Sequence, residues 1–257
     1  MQRRTFLLSS ALLTVAAATP AKAGAGPGPF KVDGHIALQA YQALVEDHLT
    51  GVLRAIRALA ATSDAQTRSW ASIRPALDRL SQDLTTDATV WFALPDGSYA
   101  STASGPSSET LADRDYFREL MAGDDIEGSL VISKSTGHRS VIVATPVVKE
   151  GRVIAAIGAS MRARLISQMV AERTGLPDNM TFYALDAKGQ TVIHKDPEKM
   201  FEYPSDLGDA TLKSAVTTIL SQRQGSVDYN FGGQFRTAIF NKSDVTGWHF
   251  VLVQVGK

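Results

Sequence analysis

From residue 33 the apolar positions recur at three- and four-residue steps: Ile36, Ala40, Leu44, Val45, Leu49, Val52, Leu53, Ile56, Leu59 and Ala60. This spacing predicts an amphipathic helix of roughly 25 residues, near 40 Å at about 1.5 Å per residue, longer than one small module. Asp33 is placed to cap its start, and residues 62–64 end it. A second helix carries Trp70, Ile73, Leu77, Leu80 and Leu84 on one face.

The period then falls to two. Residues 89–94 read as a strand, 95–97 as a turn and 98–101 as a returning strand. Polar loop residues run to Glu109, and a short helix covers 116–121. Strands follow at 129–133, 139–148 and 152–161, joined by turns at 135–137 and 149–151. A helix with Leu165, Ile166, Met169 and Val170 stops at Gly175 and Pro177. The pattern then starts again, with strands at 181–185 and 190–194, a helical segment at 207–222, and strands at 225–231, 234–241 and 248–255. The two runs share one order of elements, a divergent duplication with the long helix running past both copies. The expected fold class is α+β: a long N-terminal helix, then two PAS-like modules, each an antiparallel sheet of about five strands with flanking helices.

Met1-Gln2-Arg3-Arg4 is a short positive segment, residues 6–18 are apolar and uncharged, and Ala21-Lys22-Ala23 is a small-x-small site. These features predict a secretory signal peptide over 1–23, cleaved after Ala23, and a periplasmic mature protein. Arg3-Arg4-Thr5-Phe6-Leu7 also fits a twin-arginine signal, so the export route stays open between the two. An uncleaved anchor is the alternative to cleavage. Residues 24–32 form a Gly/Pro linker, 33–84 the N-terminal helices, 85–175 the first module and 176–257 the second.

Composition narrows the function. Lys+Arg and Asp+Glu are both 26 in 257 residues, and hydrophobic residues make up 44%, enough for a core and without the basic excess of a nucleic-acid binder. Removal of Arg3, Arg4 and Lys22 leaves 23 basic against 26 acidic residues, so the mature chain is slightly acidic. The chain has no cysteine, which excludes disulfides, thiolate metal sites and a Cys nucleophile. Five histidines form no HExxH or HxH pair and read as surface residues or strand ends. Asp124-Asp125-Ile126-Glu127 lacks the alternating ligands of an EF-hand and reads as a solvated loop. Ser133, Ser135 and Ser160 sit in no G-x-S-x-G elbow, so no enzyme, cofactor or metal is expected.

One set of residues carries more. Leu111-Ala112-Asp113-Arg114-Asp115-Tyr116-Phe117, then Gly128, residues 131–137, Ala144-Thr145-Pro146-Val147, Gly158 and a closing Gly247-Trp248 resemble, in order and spacing, the double Cache (dCache) sensor family over roughly residues 33–255. The resemblance implies a membrane-distal module that holds a ligand, a proximal module that usually does not, and no catalysis. Such domains usually sit between two transmembrane helices of chemoreceptors, histidine kinases and cyclic-dinucleotide enzymes. Here a signal peptide replaces the first helix and the chain stops where the second would begin, so a stand-alone exported sensor is expected.

By the same resemblance Arg114 is the residue that would hold a ligand carboxylate, as a guanidinium can through two parallel hydrogen bonds. Its alternative is a structural salt bridge with Asp113, Asp115 or Glu119. Tyr116 and Phe117 match two aromatic positions of the family, with one expected in the core and one in the pocket wall. Ser160, and Ser133 or Lys134, stand where amino-acid-binding relatives place acidic or polar contacts to the ligand's amine. A serine cannot neutralise a buried ammonium. The expected ligand is therefore a small organic acid, held by Arg114 with help from Lys134. Trp91, Tyr99, Thr145 and Ser160 lie on strands whose alternation could aim them at one pocket, with Trp91 equally readable as core. Trp248 and Tyr183 read as core of the second module, and a second pocket around Tyr183, His194 and Tyr229 is conceivable. The competing function is an adaptor that docks on a membrane receptor or kinase without its own ligand, and the long first helix could support a homodimer.

Overall fold

The computed structural model of the protein describes residues 33–84 and 86–256. The signal peptide and linker readings lie outside the described residues. Helix α1 (Gly34–Ala60) begins at Asp33, whose carboxylate accepts the His35 N–H at 2.7 Å. Its buried stripe is Leu38, Tyr41, Val45, Leu49, Val52, Leu53, Ile56 and Ala60. The first turns differ from the expected stripe: Ile36 is 62% exposed and Ala40 is exposed, while Leu38 and Tyr41 face inward. Tyr41 wins because its ring meets Phe182 and Phe250 at centroid distances of 5.1 and 5.2 Å, a larger apolar contact than Ile36 could make. Short helix α2 (Ser63–Gln66) and helix α3 (Trp70–Asp83) follow, capped by Thr62 and Ser69.

The first sheet comprises β1 (Ala88–Ala93), β2 (Ser98–Ser101), β3 (Gly105–Thr110), β4 (Ile126–Ile132), β5 (Arg139–Lys149) and β6 (Arg152–Arg162). Helix α4 (Asp115–Ala122) lies between β3 and β4 in sequence. The spatial order is β3-β2-β1-β6-β5-β4, with antiparallel pairing throughout. Strand β3 was expected as loop. It is a mostly exposed edge strand of Gly, Pro, Ser, Ser, Glu and Thr, held by its ladder to β2 rather than by an apolar face. Val90, Phe92, Val141, Val143 and Ile157 turn to the α1 side, and Trp91, Ala93, Ile142, Ala144 and Ala156 to the α4 side.

Helix α5 (Ala163–Thr174) leads to a second sheet of β7 (Met180–Leu185), β8 (Thr191–His194), β9 (Gln224–Phe231), β10 (Gln234–Lys242) and β11 (His249–Val255), in the order β8-β7-β11-β10-β9. A 3-10 turn (Pro197–Lys199), α6 (Pro204–Leu207) and α7 (Ala210–Ser221) separate β8 from β9. The helical segment expected at 207–222 corresponds to α7, which starts later because Asp209 caps it through Thr211 and Leu212, and α6 is an additional turn before Gly208. The fold is α+β with two antiparallel sheets, as the sequence implied, with six strands in the first sheet rather than about five.

One apolar core lies under α1 and is common to both sheets. It joins Val143 and Ile157 of the first sheet to Phe182, Phe250 and Leu252 of the second. Each fully buried Leu or Ile in it contributes about 1.5–3 kcal/mol. Trp248, expected as core of the second module, in fact crosses to the first sheet, where its indole packs on Gly128. The acidic stretch before Gly128 is not a solvated loop: Arg57 of α1 pairs with Asp125, and the Thr50 hydroxyl donates to Glu127 at 3.1 Å. Those contacts fasten β4 to the helix.

Candidate functional site

Arg114 sits at the start of α4, where its own N–H donates to Leu111 O at 3.0 Å and its side chain turns toward β4. One terminal nitrogen of the guanidinium donates to Ile132 O at 2.7 Å, which fixes the plane of the group. Among the described residues it makes no ion pair. Its sequence neighbours are engaged elsewhere: Asp113 accepts both oxygens' worth of hydrogen bonds from Lys134 Nζ at 2.8 Å, and Asp115 lies 3.4 Å from Lys188. The salt-bridge alternative for Arg114 is therefore not what this structure contains.

Lys134 itself is a clamp. Its ammonium also donates to Thr110 O at 2.6 Å, and its side chain is only 16% exposed. That hydrogen bonding holds the Asp113 carboxyl below the usual carboxylate range. Lys134 thus ties the end of β3 and the Asp113 loop to the turn after β4, and its charge is spent within the protein. Ser133 is likewise occupied, its hydroxyl accepting the Thr136 N–H at 3.3 Å inside the same turn. Tyr99 reaches that turn from β2, with its hydroxyl 3.3 Å from Ser135 Oγ.

Trp91, Tyr99 and Ser160 do share a face of the first sheet, beneath Tyr116, Phe117 and Leu120 of α4. Trp91 lies flat on Gly158, where an added Cβ would stand 2.1 Å from Cζ2. Its ring centroid is 6.4 Å from that of Tyr116, a phenol pushed up in pKa by burial. Tyr116 and Phe117 both join this cluster, so the expected division into one core and one wall residue is not sharp, although only Tyr116 also borders the open cleft described next. Thr145 does not belong to this face. Its cross-strand partner is Ile157, which faces α1, so Thr145 turns to the α1 side with Val143 and Val147. The parity of β5 overrides the expected placement.

The open space beside Arg114 is a cleft of about 640 Å³ between the first sheet's β4 edge and the turns of the second sheet. This is within the range of small-molecule sites. Arg114, Tyr116 and Glu119 border it from α4, and Glu127, Gly128 and Val131 from β4. The second half closes it with Asp186, Lys188, Tyr203, Thr246 and Trp248. Of these second-half residues only Trp248, in the closing Gly247-Trp248 pair, carries a local signal. Asp186 and Lys188 are ordinary turn residues, and only the docking of the two sheets places them opposite Arg114. Ser160 and Thr145 do not line the cleft, and Trp91 and Tyr99 do not either. Among the described residues, no three His, Asp or Glu side chains gather as a metal site, and no helix is long and apolar enough to cross a membrane.

The Cache domain family profile dCache_1 matches residues 31–255. The fold is similar to the ligand-binding domain of the Pseudomonas aeruginosa PAO1 amino acid chemoreceptor PctB in complex with L-Arg, with a TM-score of 0.67 at 16% identity over 86% of this chain and 93% of that one. It is also similar to the sensory domain of the Campylobacter jejuni chemoreceptor Tlp3 with isoleucine bound, with a TM-score of 0.63 at 15% identity, covering 86% and 90%. The ligand-binding domain of the Pseudomonas fluorescens chemoreceptor CtaA in complex with L-isoleucine gives 0.63 at 16% identity, covering 86% and 89%. At these identities the likeness is one of fold. No curated protein sequence matches the chain.

Proposed function

Because this chain belongs to the double Cache family of ligand-binding sensor domains, we propose that it is an exported sensory protein that binds a small molecule through a carboxylate held by Arg114. The module comprising residues 85–175 is read as the ligand-holding half and 176–257 as its supporting half. The observation that carries the reading is the state of Arg114. It borders a cleft of suitable size, is oriented by one backbone carbonyl, and makes no ion pair among the described residues while the adjacent carboxylates are held by lysines. A guanidinium so placed presents its remaining N–H donors to a planar anion. Tyr116 supplies an aromatic wall beside it. No step of bond making or breaking is involved.

A second reading concerns the other end of the ligand. Ser160, Ser133 and Lys134, whose lack of a carboxylate disfavours an amine, do not line the cleft. Glu119, Glu127 and Asp186 do. Their charge favours a ligand that carries a positive group opposite its carboxylate, as an amino acid does. The chemoreceptor domains of similar fold were solved with L-Arg and isoleucine.

The test is the melting temperature of the protein against panels of organic acids, amino acids and amines. Ligand at a hundredfold its dissociation constant adds about 2.7 kcal/mol of stability. A shift produced by carboxylates and lost in Arg114→Ala supports the reading, and comparison of acids with their amino counterparts separates its two forms. A panel with no effect in the wild-type protein would favour the adaptor alternative, in which the domain docks on a membrane receptor or kinase without a ligand of its own.

A further inference from the structure

The second sheet carries a small, half-open cavity on the face covered by α7, separate from the Arg114 cleft. We infer that this cavity binds a small carboxylate with a short alkyl chain, held by Arg236, Lys199 and the Tyr183 hydroxyl.

The polar groups around it are donors and cations. Arg236 comes from β10 and Lys199 from the 3-10 turn after β8, and no Asp or Glu lines the space. Both cations stand over the Phe231 ring, at 5.1 and 5.2 Å from its centroid. Two positive groups on one ring repel each other unless an anion sits between or beside them. Lys199 has a partner in Asp196, at 3.6 Å, which caps the start of the same turn and does not line the cavity. Arg236 makes no ion pair among the described residues.

Two atoms here are enclosed without a hydrogen bond of ordinary length and angle among the described residues, the Tyr183 hydroxyl and Arg236 Nε, and the Tyr229 hydroxyl beside both is the one weak acceptor they share. Tyr183 is only 5% exposed. Buried donors so poorly paired are rare and costly, so a pair of them bordering one cavity marks a place for an acceptor. Burial, reinforced by Tyr229, pushes the Tyr183 phenol well up in pKa, so it stays a donor. His194 stacks on Tyr183, with centroids 5.9 Å apart and planes 14° apart. Its Nδ1 accepts the Asp196 N–H at 2.7 Å, which puts the ring proton on Nε2 and makes that nitrogen a neutral donor.

Size and walls set the class. The cavity is about 40 Å³. A water needs about 10–15 Å³ on this measure, so the space suits an anion of a few heavy atoms. Leu207, Leu212 and Phe231 form its apolar side. That side favours an alkyl group over a fully polar oxyanion, which would leave its outer oxygens unsolvated.

The experiment titrates acetate, propionate and butyrate into the protein, with chloride at equal ionic strength as control and nitrate and phosphate as inorganic probes. Melting temperature and isothermal titration are the readouts. The expected result is saturable binding of one or more short carboxylates that persists in Arg114→Ala and weakens about tenfold or more in Arg236→Gln, the loss of a charge-assisted hydrogen bond. Tyr183→Phe, which removes one hydroxyl and little volume, weakens it too and guards against a poorly folded arginine variant. Absence of saturable carboxylate binding in the wild-type protein overturns the inference, as does binding unchanged in both variants. Stronger stabilisation by nitrate or phosphate than by any carboxylate overturns the assigned class. Persistence in Arg114→Ala keeps this outcome distinct from that of the Arg114 site.

Discussion

The indole Nε1 of Trp248 donates to the carbonyl of Gly128 at 3.2 Å, across 120 positions of sequence. The bond joins the last strand's threshold to the β4 bulge, where Gly128 has φ of +104° and the β4–β5 register shifts. A Cβ at Gly128 would stand 2.8 Å from Trp248 Cζ2. Trp248→Phe, which keeps a ring but leaves the carbonyl without its donor, should cost about 1–3 kcal/mol in urea unfolding. Gly128→Ala should cost more, since it meets both the ring and the left-handed backbone. Equal stability of Gly128→Ala and wild type would show that the two sheets do not depend on this joint.

The stacking of Trp91 on Gly158 makes a second prediction. Gly158→Ala forces the indole off the strand and should destabilise by about 1–3 kcal/mol, the cost of overpacking. In Trp91→Leu the same substitution should cost much less. A double-mutant cycle measures the coupling, and additive losses would mean that the indole is not what Gly158 accommodates.

Lys134 and Arg114 compete for the same carboxylate in prospect. While Lys134 holds Asp113, Arg114 is left to a ligand. Lys134→Met releases Asp113 to pair with Arg114, and an exposed pair of this kind is weak and screened by solvent. Ligand affinity should then fall by roughly fivefold at most. Adding Asp113→Asn should restore it. If the single variant binds as wild type does while remaining folded, Lys134 does not guard the arginine.

His194 sets an acid limb to stability. Burial first, and Lys199 next, lower its pKa from the ordinary 6.5 to about 4 in the folded protein, against a raising effect of Asp196. Above pH 6.5 the ring is neutral folded or unfolded and contributes no slope. Between about 6.5 and about 4 the unfolded chain takes a proton that the folded one does not, so stability falls as pH falls through that window. Full development of the shift is worth roughly 3 kcal/mol. His48 and His249, both lowered chiefly by burial, act in the same direction. His194→Gln should flatten the slope of unfolding free energy between pH 6.5 and 4, and an unchanged slope would remove His194 as its source.

The strands with a buried face were legible because alternation of β-branched and polar residues is itself the trace of a sheet with two sides. Strands β5 and β6, buried on both faces, show instead as continuous apolar runs bounded by turn residues. Strand β3 left no such trace, since an exposed edge of Ser, Glu and Thr satisfies only its backbone. The first turns of α1 were misread for a related reason. Periodicity marks apolar positions, and which of Ile36 or Tyr41 is buried depends on Phe182 and Phe250, far away in sequence. At the cleft, Arg114 and Tyr116 stood out by their place in a motif. Asp186, Lys188 and Thr246 did not, because they face Arg114 only after two sheets have docked. Thr145 turns away from the pocket because alternation along one strand does not say which face is which, and its pairing with Ile157 settles that only in the folded sheet.

Helix α1 divides its length between the sheets. Tyr41 and Gln42 in its first half meet Phe250 and Asn241, the latter pair 199 residues apart, while Thr50 and Arg57 in its second half meet β4. Strand β11, the last of the described strands, pairs with both β7 and β10 in the middle of its sheet. The leading half of α1 is therefore only partly covered, by Phe182 and Asn241, until β11 is in place. Such closure over most of the chain is entropically slow. Without β11, Tyr41 keeps Phe182 but lacks Phe250, and the second sheet is split between β7 and β10, so the native arrangement of this half waits on that strand.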